Sequence, residues 1–134
     1  MNFKDAIVSD KMIPIEKVDT LILKGSNEEL THHISLSNFT SLPVLNRKKE
    51  IAGCIRTDVF LKDYMHNHRV SVRDHISELT VISKDAYMTE VLRLANSERP
   101  IIGIINLNHP KKLLGIVSTY QLMQQISHDV FSVN

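Results

Sequence analysis

"GCIRTDVFL" (residues 53–61) and "GIVSTYQLM" (residues 115–123) share one grammar: glycine, an apolar pair, a polar cluster, then an amphipathic run. Gly53 and Gly115 stand 62 residues apart, while "LIL" at 21–23 and "TVI" at 80–82 stand 59 apart. A chain of 134 residues with this internal echo is constrained to two copies of one unit, with unequal loops and a common order of elements. The halves fall at residues 1–67 and 68–134. A unit of that size buries only about 60% of its unfolded surface and is marginal alone. The two copies are therefore expected to share one intertwined domain of mixed α/β class, with no flexible linker.

Within the first copy, residues 3–12 read as a short helix from Phe3 to Met12, stopped by Pro14. "DTLILKG" (19–25) is an apolar run closed by glycine and reads as a strand. Ser26 with Glu29 forms a capping-box pattern, and Leu30 and Ile34 give the next helix an apolar face. "SLPVLN" and "EIAGCIR" follow as strands across a charged turn. A helix from Thr57 sets Phe60, Tyr64 and Val59 along one side and ends near "MHNHR". In the second copy "VSVRDHI" is a short helix and "LTVIS" (79–83) a strand. Ser83 or Asp85 is a candidate cap for a helix with Met88, Val91, Leu92 and Ala95 inward. "IIGIIN" and "KLLGIVS" are strands joined by "LNHPKK", and the last helix carries Leu122, Ile126 and Val130 at helical spacing. Strand–helix–strand connections of this length favour parallel pairing for part of each sheet.

Composition excludes several classes of function. Sixteen basic residues are offset by 15 acidic ones, for a net charge of +1, so broad nucleic-acid affinity is not expected. No stretch approaches the ~20 apolar residues of a membrane span, and the start has no signal-peptide core, which makes a cytoplasmic location the expectation. Cys54 is the single cysteine; flanked by Gly53 and Ile55, it reads as a buried strand thiol. His32 and His33 are neighbours that do not share a helix face, and His66 and His68 sit at a helix end. No partner stands at zinc-ligand spacing, so no metal is expected. The four glycines form no phosphate loop and nothing resembles a nucleophile elbow. An enzyme is not indicated. The basic turns "NRKK" and "HPKK" occupy equivalent places and read as polar hairpin turns.

The order helix, strand, helix, "LPVLN", charged turn, "IAGCIRTD", helix resembles the CBS domain, the module named after cystathionine β-synthase. "MIPIEKVDTLILKGSNEELTHHISLSNFTSLPVLN" is also similar to the CBS pairs attached to magnesium and cobalt efflux proteins. The resemblance runs from about Val8 to Ile126. It implies a tandem pair, or Bateman module: two βαββα-type repeats packed by pseudo-twofold symmetry into one compact domain. Such a pair has two clefts that take adenosine-containing ligands such as AMP, ADP, ATP, S-adenosylmethionine or cyclic di-AMP. It also implies a flat homodimer, a regulatory role, and a separate or fused effector protein that reads the ligand.

In the family, the glycine strand ends in G-h-h-T/S-x-x-D/N, where h is apolar. A hydroxyl and free N–H groups at the following helix start suit a phosphate, and the carboxylate one turn on suits ribose hydroxyls. Apolar strand residues, here Leu42 and Pro43, would hold the base. In the second repeat Gly115, Ile116, Val117 and Ser118 fit, Thr119 follows, and Gln121 stands where the acid should be. An amide bonds a hydroxyl without charge assistance. In the first repeat Arg56 occupies the hydroxyl position and Val59 the carboxylate position, with Thr57 and Asp58 each displaced by one. Arg56 could bind a phosphate itself; the alternative is that Thr57 caps the helix and Asp58 is solvated.

The expected function is therefore a non-catalytic ligand-sensing module. Ser118, Thr119 and Gln121 would serve one cleft and Arg56, Thr57 and Asp58 the other, with no cofactor beyond an adenine-nucleotide ligand. Tyr64, Met65, Met123 and Phe131 are candidates for a dimer seam. The rival reading is a ligand-free dimerisation or docking module with degenerate clefts.

Overall fold

The order strand, helix, strand, strand, helix occurs twice in the computed structural model, which describes residues 5–131 apart from the side chains of 125 and 128–131. The chain enters through a one-turn helix α1 (Val8–Lys11) and a two-residue strand β1 (Ile13–Pro14). The first copy then runs β2 (Leu21–Ile22), α2 (Asn27–Leu36), β3 (Ser41–Leu45), β4 (Ile51–Arg56) and α3 (Thr57–His66). A 3-10 turn at Arg73–His75 leads to β5 (Val81–Ser83), α4 (Met88–Leu94), β6 (Ile101–Asn106), β7 (His109–Ser118) and α5 (Thr119–Phe131).

Parallel pairing is present where the crossover lengths require it: β2 with β3, Leu21 opposite Val44, and β5 with β6, Val81 opposite Gly103. Each sheet then closes with an antiparallel hairpin, β3–β4 and β6–β7. The interior strands are β3 in one sheet and β6 and β7 in the other. Every β3 residue is buried, and so is every β6 residue up to Ile105, as expected of strands covered on both faces. Both hairpins carry a register shift at the same place, between Val44 and Leu45 and between Ile104 and Ile105. Each lies opposite the residue preceding the repeat glycine, so the duplication extends to an irregularity that composition could not reveal.

Several local expectations change. Helix α1 starts at Val8, because Ile7 is in an antiparallel bridge with Tyr87; Phe3 lies outside the described residues. Neither Ser83 nor Asp85 caps α4. The Ser83 hydroxyl instead accepts from the Asp85 N–H at 3.2 Å, and α4 begins after an uncapped Tyr87. "HPKK" is not a turn: β7 begins at His109 and only Leu107–Asn108 turn the chain, whereas Lys49 in "NRKK" does turn, with φ of 63°. The capping box at Ser26 forms in part, the hydroxyl accepting from the Glu29 N–H at 3.2 Å and meeting the Glu29 carboxylate at 3.4 Å.

Two core clusters result, and they match at five equivalent positions. One contains Leu42, Val44, Ile55, Phe60 and Val72, together with Leu21, Leu30 and Ile34. The other contains Ile102, Ile104, Val117, Leu122 and Val8, together with Ala6, Met88 and Val91. Ile126 packs on the second cluster; Val130 and Phe131 have side chains outside the described residues.

The matching exposes how the chain is divided. Val8 belongs with β6 and β7, and Val72, 64 residues on, belongs with β3 and β4. By contacts, one unit is Asp19–Leu79, and the other joins Met1–Val18 to Thr80–Asn134. The leader that precedes each copy in sequence is thus attached to the sheet of the other copy, so the units cross the sequence boundary at 67/68. In the second unit β1 lies along β7, Ile13 opposite Ile116 and Pro14 opposite Gly115. In the first, Ser77 bridges Cys54 with both hydrogen bonds, 2.8 and 2.9 Å. Pro14 is tolerated because it sits on an edge strand.

Candidate functional site

The repeat glycines mark the first feature of each strand–helix junction. A Cβ on Gly53 would strike the Ser77 carbonyl and approach the Ile76 side chain at 2.7 Å, and Gly53 itself has φ of 148°. A Cβ on Gly115 would strike the Ile13 carbonyl and approach Met12 Sδ at 2.8 Å. Both glycines are seats for a crossing backbone, a packing role that the ligand pattern did not disclose.

Beyond the glycines, Thr57 and Thr119 take equivalent positions as the first residue of α3 and α5. The Thr57 N–H donates to Thr40 O at 2.9 Å and its hydroxyl to Phe39 O; the Thr119 N–H donates to Pro100 O and its hydroxyl to Arg99 O, both at 2.8 Å. Each threonine therefore ties its helix start to the segment entering an interior strand, and each hydroxyl proton is already used. Thr57 is buried and Thr119 half-buried. Sequence reasoning missed Phe39, Thr40, Arg99 and Pro100, whose part is played by backbone carbonyls that any residue supplies.

The preceding position differs between the copies. Ser118 ends β7, and its oxygen accepts from the Gln121 N–H at 3.0 Å, the geometry of an N-cap. Its own hydroxyl proton is left to donate. Gln121 gives its amide N–H to Lys11 O at 3.4 Å, while its Oε1 is buried without a partner. In the other copy Arg56 ends β4 and reaches Asp58, Nη2 to Oδ2 at 3.1 Å and Nε to Oδ1 at 3.4 Å. Partial burial pushes the Asp58 carboxyl up. The Arg56 hydrogen bond, the Val59 N–H and the Arg56 charge outweigh it and hold the group below the usual carboxylate range. Val59, where the glycine-strand pattern expects a carboxylate, is exposed.

Arg56 faces Ser41 across the hairpin, and Ser41 Oγ is also buried without a partner. Among the described residues, the two orphaned buried side-chain atoms thus fall one at each junction. Leu42 and Pro43 lie buried next to Ser41, with Leu42 in the core cluster.

The remaining candidates scatter. Cys54 is half-buried rather than buried, its Sγ 3.5 Å from Ser77 Oγ and 3.6 Å from Glu78 O, because the crossing leader covers one side only. His33 pairs with Asp19 at 3.0 Å, and His68 stacks on Tyr64. Met65 and Met123 are exposed and Tyr64 is half-buried. Among the described residues, no helix is long and apolar enough to cross a membrane.

No protein-family model matches the sequence, and no curated protein matches it. Solved structures do. A CBS domain protein from Shewanella oneidensis MR-1 superimposes with a TM-score of 0.78 at 15% identity, over 92% of this chain and 99% of that one. A CBS domain-containing protein of unknown function from Bacillus anthracis gives 0.75 at 19% identity, over 93% and 95%. CbpB in complex with c-di-AMP gives 0.72 at 15% identity, over 97% and 92%.

Proposed function

We propose that this chain, whose fold is that of CBS-domain proteins, is a non-catalytic regulatory module that binds an adenosine-containing ligand at the β7–α5 junction. The observation that carries the reading is the buried, unpartnered Gln121 Oε1 beside the N-terminus of α5. A buried acceptor without a donor is costly, about 1–3 kcal/mol, and a ribose hydroxyl supplies such a donor. Ser118 offers its hydroxyl proton, and the helix start carries positive potential for a phosphate. The c-di-AMP bound by CbpB, of the same fold, lends support to this ligand class. An effector protein would read the bound state, which requires that the ligand favour one of two conformations.

A second reading rests on the other junction. There Arg56 is engaged by Asp58 and Thr57 by Phe39, so the side chains at the ligand-pattern positions are already paired internally, although the neighbouring Ser41 Oγ is not. A module with both junctions so used would be a ligand-free docking or dimerisation unit.

Thermal denaturation with AMP, ADP, ATP, S-adenosylmethionine and cyclic di-AMP separates the two. A ligand at a hundredfold excess over its Kd stabilises by about 2.7 kcal/mol, a shift of several degrees for a chain of this size. Gln121→Leu should abolish most of that shift while leaving the unliganded protein at least as stable. No shift with any ligand at millimolar concentration would favour the docking reading.

A further inference from the structure

The segment that crosses Gly53 is fastened to its unit by neutral groups at both ends. Asn27 donates to Val70 O at 3.0 Å and accepts from the Val72 N–H at 2.7 Å, and the Cys54–Ser77 bridge closes the far end. Between them stands one titratable attachment, His75. Its Nδ1 is 2.9 Å from Ser71 O and its Nε2 is 2.9 Å from Asp63 Oδ2 on α3. The ring meets the fully buried Phe60 edge-on, centroids 5.1 Å apart.

Both ring nitrogens face acceptors, a carbonyl and a carboxylate. Only the imidazolium, with two N–H donors, satisfies both. Either neutral tautomer points a lone pair at an oxygen and loses one contact. We propose that His75 is a pH-operated latch: protonated, it pins the Ser71–Ser77 segment to α3, and deprotonated, it lets that segment loosen over Gly53 and Cys54.

Charge around the ring favours the pinned state. The Asp63 hydrogen bond and then the Ser71 carbonyl raise the His75 pKa above its ordinary value; partial burial opposes them, and the Asp63 and Asp74 charges add to the rise. Asp63 from α3 and Asp74 from the ring's own turn are the charged groups acting on it. Because the folded ring holds its proton more tightly than the free side chain, the latch is complete below the ordinary histidine value. It is lost as pH climbs through the raised one.

Hydrogen exchange of the Cys54 and Ser77 amides in the full chain, corrected for intrinsic rates, tests this alongside an NMR titration of the ring. Protection of these two amides should fall through the titration of His75, by about tenfold per pKa unit separating the pinned and released ring, while the β6–β7 amides stay unchanged. His75→Gln should remove that pH dependence. Asp63→Asn, which keeps the ring, should lower its titration midpoint and shrink the effect, so the proposal remains testable if the glutamine variant folds poorly. A midpoint at or below the ordinary histidine value, or protection indifferent to pH, overturns the latch; so does the wild-type pH response persisting in His75→Gln.

Discussion

Gly53 is the residue on which the first unit turns. Its φ of 148° is one that a side chain rarely adopts, and the Ser77 carbonyl occupies the space of a Cβ. Gly53→Ala should therefore cost about 1–3 kcal/mol from backbone strain alone, and more if Ser77 is displaced. The midpoint in urea measures this. Equal stability of the variant would mean that Ser77 does not rest on the strand. The same glycine was conspicuous in sequence, but only as one letter of a ligand pattern; its crossing partner is 24 residues away and left no local sign. The two orphaned oxygens, Ser41 Oγ and Gln121 Oε1, were equally illegible, since satisfaction of a polar group depends on neighbours remote in the chain.

At the scale of elements, the helix starts illustrate how a repeat preserves structure while altering chemistry. Thr57 and Thr119 use the same donors on equivalent carbonyls, whereas the residues beside them, Arg56 and Ser118, have different partners. Thr57→Val removes a donor from a buried position and should destabilise by about 1–2 kcal/mol. Thr119→Val, at a half-buried position where water can replace the hydroxyl, should cost less. Chemical denaturation of the pair checks the order; a larger loss at Thr119 would reverse the assignment of burial as the cause. Strands β3, β4, β6 and β7 and helices α2 and α3 were readable from apolar periodicity, because burial of one stripe or one run is written locally. The caps of α4 and the extent of β7 were not. Ser83 turned back on its own loop, and the exposed "HPKK" stretch opened strand β7, with His109 opposite Asn106, rather than forming a turn.

For the whole molecule, the decisive feature is the attachment of each leader to the other copy's sheet. Removing residues 1–18 strips Val8 from its cluster and β1 from the edge of β7. Loss of one buried valine is worth about 1.5–3 kcal/mol, a large share of the stability of a unit this small. Hydrogen exchange should then accelerate in β6 and β7 first and leave β3 and β4 close to wild type. The reverse order would mean that residues 1–67 act together as the sequence halves suggest. The proposed adenosine-ligand function also belongs at this scale, since an effector would respond to the module and not to one hydrogen bond.

The amino-acid sequence alone determined the duplication, the order of the elements from β2 onward and much of both cores, because apolar spacing within a few neighbours marks each element. It left out β1, Val8 and Val72 and set Val59 on a buried face where the structure exposes it. Only the tertiary structure decided which leader lies on which sheet, why the two glycines are bare, and which hydroxyls and amides at the helix starts are already spent. Those outcomes depend on backbone from distant segments meeting in space, and a carbonyl offered across such a crossing carries no signature in the identity of the residue that bears it.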